Sequence, residues 1–187
     1  HEVSVYKSFS NSPVNIRVPS LIYYDRNILI IEHIEGKPLA KERYPKEKIS
    51  ENEIYALLNT TECLSEWRPE TDLFTNIWDY SARLTRYSQN GYFSSQEERI
   101  LRKLITSFTE PYKINHGDFL ATNIILISDL ECVPIDWEFT GYYMPGFDLS
   151  LLHVTLANDR PIQKMIEDNI IEKKIEIPFL INRAMAL

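Results

Sequence analysis

The stretch INHGDFLATNIILISDLECVPIDWE, from Ile114 to Glu138, concentrates imidazole, amide and carboxylate side chains around two apolar runs. The runs, Ile124–Ile127 and Cys132–Ile135, are rich in β-branched residues, and the turn-forming tetrapeptide SDLE separates them. Short apolar runs that flank a polar turn are typical of a β-hairpin. We therefore predict a hairpin whose open end carries the polar side chains.

The turn position predicts which side chains meet at that open end. A turn centred between Asp129 and Leu130 would place Asn123 directly opposite Asp136. Directly opposed residues of an antiparallel pair have Cβ atoms about 5 Å apart. An amide oxygen and a carboxylate at that spacing can share one Mg²⁺, which takes oxygen ligands at about 2.1 Å. The sequence thus predicts that Asn123 and Asp136 form a metal site.

Asp118 lies on a loop that also carries Gly117 and that leads into Asn123. Such a loop can fold the carboxylate back toward the metal, where it would serve as a general base. For any one of these residues taken alone, a turn or strand-end role is the preferred interpretation. Their joint spacing favours a site. Pro134 has no N–H to donate, so its strand must be irregular or lie at a sheet edge.

Composition restricts the class of protein. The chain has 187 residues with 27 acidic and 20 basic side chains, a net charge of −7. This charge argues against a general nucleic-acid binder and is compatible with a cationic or metal-chelated ligand, although solubility alone explains it. Two cysteines, Cys63 and Cys132, are too few for a disulfide framework. Without an apolar run of about 20 residues, we expect a soluble, cytoplasmic protein without membrane or nucleic-acid partners.

Periodicity in the rest of the chain predicts a small β-region followed by helices. Glu2–Phe9 has the spacing of a helix end, and Val18–Tyr24 with Ile28–Ile34 reads as an antiparallel hairpin. The sequence after Pro38 is mainly helical, and His153 is expected in its core. Helices are predicted from the capping box at Ser50 to Trp67, over Asp72–Tyr87, from Ser95 to Phe108, after Phe147, and over Pro161–Glu176.

The segments HGDFLATN and PIDWE resemble the catalytic and metal-binding signature of one branch of the protein kinase-like superfamily, the aminoglycoside phosphotransferases and choline kinases. VPSLIYYD and ILIIEHIEGKPL resemble the last strands of the N-terminal lobe and the hinge of that family. The resemblance implies an α+β, protein kinase-like fold. Residues 1–36 would form a partial N-terminal β-lobe, and residues 37–187 a mostly helical C-terminal lobe with an inserted catalytic hairpin.

The same resemblance implies a reaction that depends on ATP and Mg²⁺. Asp118 would deprotonate the acceptor hydroxyl, His116 would brace the loop, and Asn123 with Asp136 would hold Mg²⁺. The resemblance further implies that Glu2 pairs with an ATP-binding lysine and that the backbone of Glu32, His33 and Ile34 meets the adenine edge. Asp148 would hydrogen-bond the catalytic loop. Glu138 would assist metal or substrate, or be a surface residue.

Two family features have no match in this sequence: the hairpin that covers the phosphates and the strand lysine. The chain by itself is therefore expected to be an N-terminally incomplete, inactive phosphotransferase, and the alternative is a non-catalytic binding module. The expected acceptor is a hydroxyl of a small molecule, with an aminoglycoside-like antibiotic favoured and choline or a sugar as alternatives. Four acidic residues suit a polycation or form a solvated helix face: Glu167, Asp168, Glu172 and Glu176. ATP versus GTP and the oligomeric state are left open.

Overall fold

The computed structural model describes residues 1–69 and 77–186. The helices within these residues are α1 (Glu2–Asn11), α2 (Glu51–Glu66), α3 (Tyr80–Gln89), α4 (Ser95–Ser107), α5 (Phe147–Thr155), α6 (Arg160–Glu172) and α7 (Glu176–Met185). The strands are β1 (Leu21–Tyr24), β2 (Leu29–Ile31), β3 (Lys37–Pro38), β4 (Lys113–Asn115), β5 (Ile124–Ser128), β6 (Glu131–Pro134) and β7 (Gly141–Tyr143). The architecture is the predicted α+β type, with small sheets and many helices.

The N-terminal part consists of α1 and the β1–β2 hairpin. Asp25 shapes the turn, because one of its carboxylate oxygens accepts hydrogen bonds from the N–H groups of Asn27 and Ile28, at 2.8 and 2.9 Å. The predicted hairpin is confirmed, with strands shorter than expected. The first strand begins only at Leu21, since Pro19 has no N–H for a ladder. The boundary between residues 36 and 37 stays a prediction.

The predicted hairpin, β5 with β6, is present but its register differs from the prediction. Ser128 pairs with Glu131, whereas Ile124 pairs with Pro134, because Ile127 is an extra residue on β5. This bulge shifts the mouth by one residue, and Ile135 donates its N–H to the carbonyl of Asn123 at 2.9 Å. The predicted direct opposition of Asn123 and Asp136 is therefore wrong.

Two neighbouring strand pairs hold the catalytic hairpin in place. β3 lies on the other side of β5, so the sheet order is β3-β5-β6 and Pro134 sits on an edge strand, as a proline requires. A separate sheet pairs β4 with β7, with Asn115 opposite Gly141. That pairing brings the end of β4, where the catalytic loop starts, beside the segment that follows Asp136.

The helices carry most of the core and show two departures from the pattern. The capping box of Ser50 and Glu53 starts α2 as predicted. The predicted start at Asp72 lies outside the described residues, and α3 begins at Tyr80, where Asp79 caps it. The predicted helix to Glu176 is two helices, since Lys174 has a positive φ of 57° and separates α6 from α7.

The predicted core position of His153 is confirmed. This residue of α5 is buried, and its ring contacts the Glu167 carboxylate at 3.2 Å. In residues 1–69 and 77–186, no helix combines the length and the apolarity that crossing a membrane requires.

Candidate active site

The loop from His116 to Asn123 is closed by a hydrogen bond between two predicted site residues. The side-chain N–H₂ of Asn123 donates to the Asp118 carboxylate at 2.9 Å and to the Asp118 carbonyl at 3.0 Å. Because its nitrogen faces Asp118, the amide oxygen of Asn123 points the other way. The Asn123 side chain therefore bonds to Asp118 through its nitrogen, and its oxygen lies 3.5 Å from the Thr122 hydroxyl.

His116 connects this loop to the strand that leads into Asp136. Its Nδ1 accepts the N–H of Asp118 at 3.3 Å, so its Nε2 carries the proton and donates to the Ile135 carbonyl at 3.0 Å. The ring is fully buried, and burial lowers the pKa of His116 to about 4. A neutral imidazole thus holds the two acidic segments together.

Asp148, the second residue of α5, supports the loop from behind. Its two carboxylate oxygens accept the N–H groups of His116 and Gly117, at 2.7 and 3.0 Å. In return, the N–H of Asp148 donates to the side-chain oxygen of Asn115 at 3.2 Å. Complete burial raises the pKa of Asp148 to about 7, against the lowering effect of its two backbone donors. These bonds fix the backbone on which Asp118 stands.

Asp136 lies where the hairpin ends, in a left-handed conformation with φ 66° and ψ 67°. Aspartate is one of the few residues that adopts this region without great cost, and such outliers cluster at functional sites. The next residue, Trp137, donates its N–H to the Glu2 carboxylate at 3.3 Å. Glu2 therefore ties α1 to the segment that follows Asp136, and its pKa is raised by burial and, less strongly, by Asp136 and Glu138.

The carboxyl group of Asp118 is half-buried, and this burial raises its pKa. The hydrogen bond from Asn123 and the positive charge of Arg43 act in the opposite direction, while the negative charge of Asp136 adds to the rise. Asp118 and Asp136 thus lie close enough to feel each other's charge. Arg43 was not among the predicted site residues, because no motif marks it.

A family model provides the assignment. The model for choline/ethanolamine kinases matches residues 2–182, nearly the whole chain. The chain belongs to the choline/ethanolamine kinase family. No curated protein sequence gives a significant match.

Solved structures show the same kinase-like fold. A choline/ethanolamine kinase family protein from Mesorhizobium loti superposes with a TM-score of 0.72 at 14% identity, covering 98% of this chain and 67% of that protein. The ADP-bound aminoglycoside phosphotransferase APH(2'')-Ib gives 0.68 at 16% identity, covering 98% and 69%. The macrolide 2'-phosphotransferase MphH from Brachybacterium faecium gives 0.73 at 11% identity, again covering 98% and 69%. The chain spans about two thirds of the length of these relatives.

The oxygen ligands in this choline/ethanolamine kinase family member fit Mg²⁺. Asn123 and Asp136 offer an amide oxygen and a carboxylate, the hard ligands that Mg²⁺ prefers. Among the residues that the structure describes, no three His, Cys, Asp or Glu side chains cluster as a metal site. That finding is compatible with Mg²⁺, which is usually held by one or two protein ligands together with substrate phosphates and water.

The hinge after β2 offers two unengaged backbone groups. The N–H of Glu32 donates to the Ser20 carbonyl at 2.8 Å, and its carboxylate pairs with Arg17. Within the described part of the chain, no hydrogen bond engages the Glu32 carbonyl or the N–H of Ile34. His33 is exposed between them. Since Arg17 engages the Glu32 carboxylate, the backbone is the part of the hinge that is suited to a ligand.

Gly117 has no room for a side chain in this kinase-family loop. Its φ is 86°, and an added Cβ would collide with the Phe139 carbonyl oxygen and the Tyr143 hydroxyl. We expect Gly117→Ala to lower the free energy of unfolding by about 3 kcal/mol or more, because backbone must move. Urea unfolding measures this loss.

The matched control is Gly91→Ala, at a glycine with a similar φ of 79° and open space around it. It isolates the cost of the left-handed backbone, about 1 kcal/mol. Equal losses at the two glycines would contradict the close approach seen at Gly117.

The two buried groups behind the loop predict opposite pH dependences of stability. The pKa of His116 is lowered, so the contribution of its neutral ring to the free energy of unfolding is fully present above pH 6.5. This contribution is lost as the pH falls toward 4. The pKa of Asp148 is raised, so its contribution is present below pH 3.8 and is lost as the pH rises toward 7. Each amounts to roughly 3–4 kcal/mol across its window. Between pH 4 and 6.5 the two changes of stability with pH therefore have opposite slopes, rising with pH for His116 and falling for Asp148.

Single substitutions separate the two slopes. In His116→Gln we expect the free energy of unfolding to fall with rising pH, and in Asp148→Asn to rise with it, as measured by urea unfolding between pH 4 and 6.5. The parent should lie between them. The same slope in both variants would show that these groups do not titrate as their burial requires.

Proposed function

We propose that this chain forms the catalytic region of a phosphotransferase that uses ATP and Mg²⁺ to phosphorylate a hydroxyl of a small molecule. One observation carries the proposal. The hydrogen bond from the Asn123 side-chain nitrogen holds the Asp118 carboxylate beside the Asn123 amide group, and His116 ties the same loop to Ile135, the residue before Asp136. A base and a metal site are thus built from one hairpin and its preceding loop.

Asp118 has the properties of a general base. One of its carboxylate oxygens accepts from Asn123, and in the described residues no hydrogen bond occupies the other. That second oxygen is available to accept the proton of an acceptor hydroxyl. Burial raises the pKa of Asp118, which increases the basicity of its carboxylate. The bonds from Asp148 to the loop backbone would keep the base in position.

Asn123 and Asp136 would hold Mg²⁺, which when bound neutralises charge on the nucleotide phosphates. Glu138 is exposed near Glu2, so it is placed to assist the metal or to remain a surface residue. Adenine presents an amino donor and a ring acceptor along one edge, and the Glu32 carbonyl and Ile34 N–H supply the complementary pair. The family resemblance implies a lysine partner for Glu2. In this structure the Glu2 carboxylate accepts a hydrogen bond from the Trp137 N–H.

The first acceptor class to test is an aminoglycoside-like antibiotic, followed by choline-type amino alcohols and sugars. Support comes from the named activities of the structural relatives and from the family model. The acidic face of α6 gives less support than its sequence suggested. Glu167 contacts Arg160, and Asp168 pairs with Lys164, so these two charges are already matched.

A transfer assay tests the proposal. The full-length gene product would be incubated with ATP labelled in the terminal phosphate, Mg²⁺ and a panel of aminoglycosides, choline, ethanolamine and sugars. We expect label on at least one hydroxyl compound, and none when Mg²⁺ is chelated. Nucleotide binding without transfer to any acceptor would instead support a non-catalytic binding module.

A further inference from the structure

The segment that follows β3 runs along β5 toward the catalytic aspartate. Lys37 pairs with Leu126, and two residues later the N–H of Leu39 donates to the carbonyl of Ile124 at 2.9 Å. The N–H of Ala40 then donates to the carbonyl of Ala121 at 3.1 Å. Each step along this segment meets a partner that is closer in sequence to Asp118. The next residues therefore lie beside the catalytic loop.

Arg43 is three residues beyond Ala40, just as Asp118 is three residues before Ala121. Arg43 is exposed, and within residues 1–69 and 77–186 no carboxylate forms an ion pair with its guanidinium. Its positive charge acts on the Asp118 carboxyl, as noted above. Between residues 37 and 48 the segment carries Lys37, Lys41, Arg43, Lys46 and Lys48 against Glu42 and Glu47. It is locally basic in an acidic protein.

The catalytic stretch itself supplies no such charge. Residues 114–138 contain no lysine or arginine, and Glu2, Asp118, Asp136 and Glu138 are all acidic. Phosphoryl transfer depends mainly on positioning and on neutralising negative charge on the transferred group. Apart from the Mg²⁺ proposed above, no lysine or arginine of this stretch offsets the negative charge of that group. A cation from outside the stretch would remedy this.

We propose that Arg43 binds an anionic oxygen group that is delivered beside Asp118. The planar guanidinium suits such a group, because two of its N–H donors can meet two oxygens at once. Two sources have this chemistry: the terminal phosphate of ATP and an anionic substituent on the acceptor. The proposal rests on the proposed function and identifies a further substrate-contacting residue of the same site.

Kinetics of the full-length gene product distinguish the two sources. Arg43→Ala is expected to lower kcat/KM by about 10–100-fold, the loss of one charge-assisted contact to a phosphate-like group. If the terminal phosphate is the source, the variant binds Mg·AMP-PNP more weakly but Mg·ADP normally. If the acceptor is the source, nucleotide binding is unchanged and the KM of an anionic acceptor rises. Arg43→Lys should restore part of the loss, and Lys41→Ala is the matched control.

A second measurement keeps the proposal decidable if no transfer is found. Inorganic phosphate would be titrated into the isotope-labelled protein while the arginine side-chain signals are followed by NMR. We expect phosphate to shift the Arg43 signal and to bind at least about fivefold more weakly to Arg43→Ala than to Lys41→Ala. A parent that transfers no phosphate would refute the proposed function alone. Equal phosphate affinity in the variants, or no phosphate binding, would overturn the role of Arg43.

Discussion

Replacing Asp118 by asparagine is expected to reduce kcat for phosphate transfer by about 10²–10⁴-fold, the usual contribution of a positioned general base. The asparagine side chain has nearly the same shape and can still meet the Asn123 amide, so the loop should keep its fold. What it loses is an anionic oxygen that accepts the proton of the acceptor hydroxyl. The affinity for Mg·ATP should change little, because Asp118 acts on the acceptor.

The measurement is steady-state transfer by the full-length gene product, with nucleotide binding followed by calorimetry. Asp129→Asn is the matched control, since Asp129 is an exposed aspartate in the turn of the same hairpin. Its kcat should equal that of the parent. Full activity in Asp118→Asn would remove Asp118 from the mechanism.

The second large effect concerns Asp136. Asp136→Asn is expected to weaken Mg²⁺-dependent nucleotide binding by at least about tenfold, because the carboxylate is the charged member of a pair whose other member, Asn123, is neutral. The experiment titrates Mg²⁺ at fixed ATP and records the metal concentration at half-saturation. Binding of ATP without Mg²⁺ should be unaffected.

Glu138→Gln provides the comparison, because Glu138 lies two residues away and is also exposed. A metal dependence close to that of the parent would make Glu138 a surface residue, and an intermediate shift would assign it a part in metal binding. If Asp136→Asn shows the parent's metal dependence, the mouth of the hairpin is not the metal site.

The sequence predicted the parts of the fold that depend on local signals. Capping residues such as Ser50, the turn at Asp25 and the strand-like runs on either side of residues 128–131 act within a few residues, so their patterns are readable. The break between α6 and α7 at Lys174 was not predicted, because a lysine with positive φ gives no glycine or proline signal in the sequence. The short strands β3 and β7 exist only through their distant pairing partners, β5 and β4.

The candidate site shows the same division between local and tertiary information. The loop from His116 to Asn123 is contiguous, so the sequence groups its polar residues. The register at the mouth was mispredicted, since the bulge at Ile127 falls in an apolar run with no distinguishing residue. Arg43 was not predicted, because nothing in the sequence distinguishes it from other loop arginines. Only the β3–β5 pairing indicates that it lies near Asp118. Glu2 and Asp148 were identified from family resemblance, and their hydrogen bonds are tertiary contacts.

Asp118, Asn123 and Asp136 are proposed to form the site where metal and nucleotide meet. The most direct test replaces Mg²⁺ by paramagnetic Mn²⁺ and records amide NMR signals of the isotope-labelled full-length gene product, with and without ADP. Signals from residues 116–123 and 135–138 should broaden strongly when Mn²⁺ and ADP are both present, and much less with Mn²⁺ alone. Broadening centred on the acidic face of α6, or no ADP-dependent broadening at the hairpin mouth, would contradict the claim.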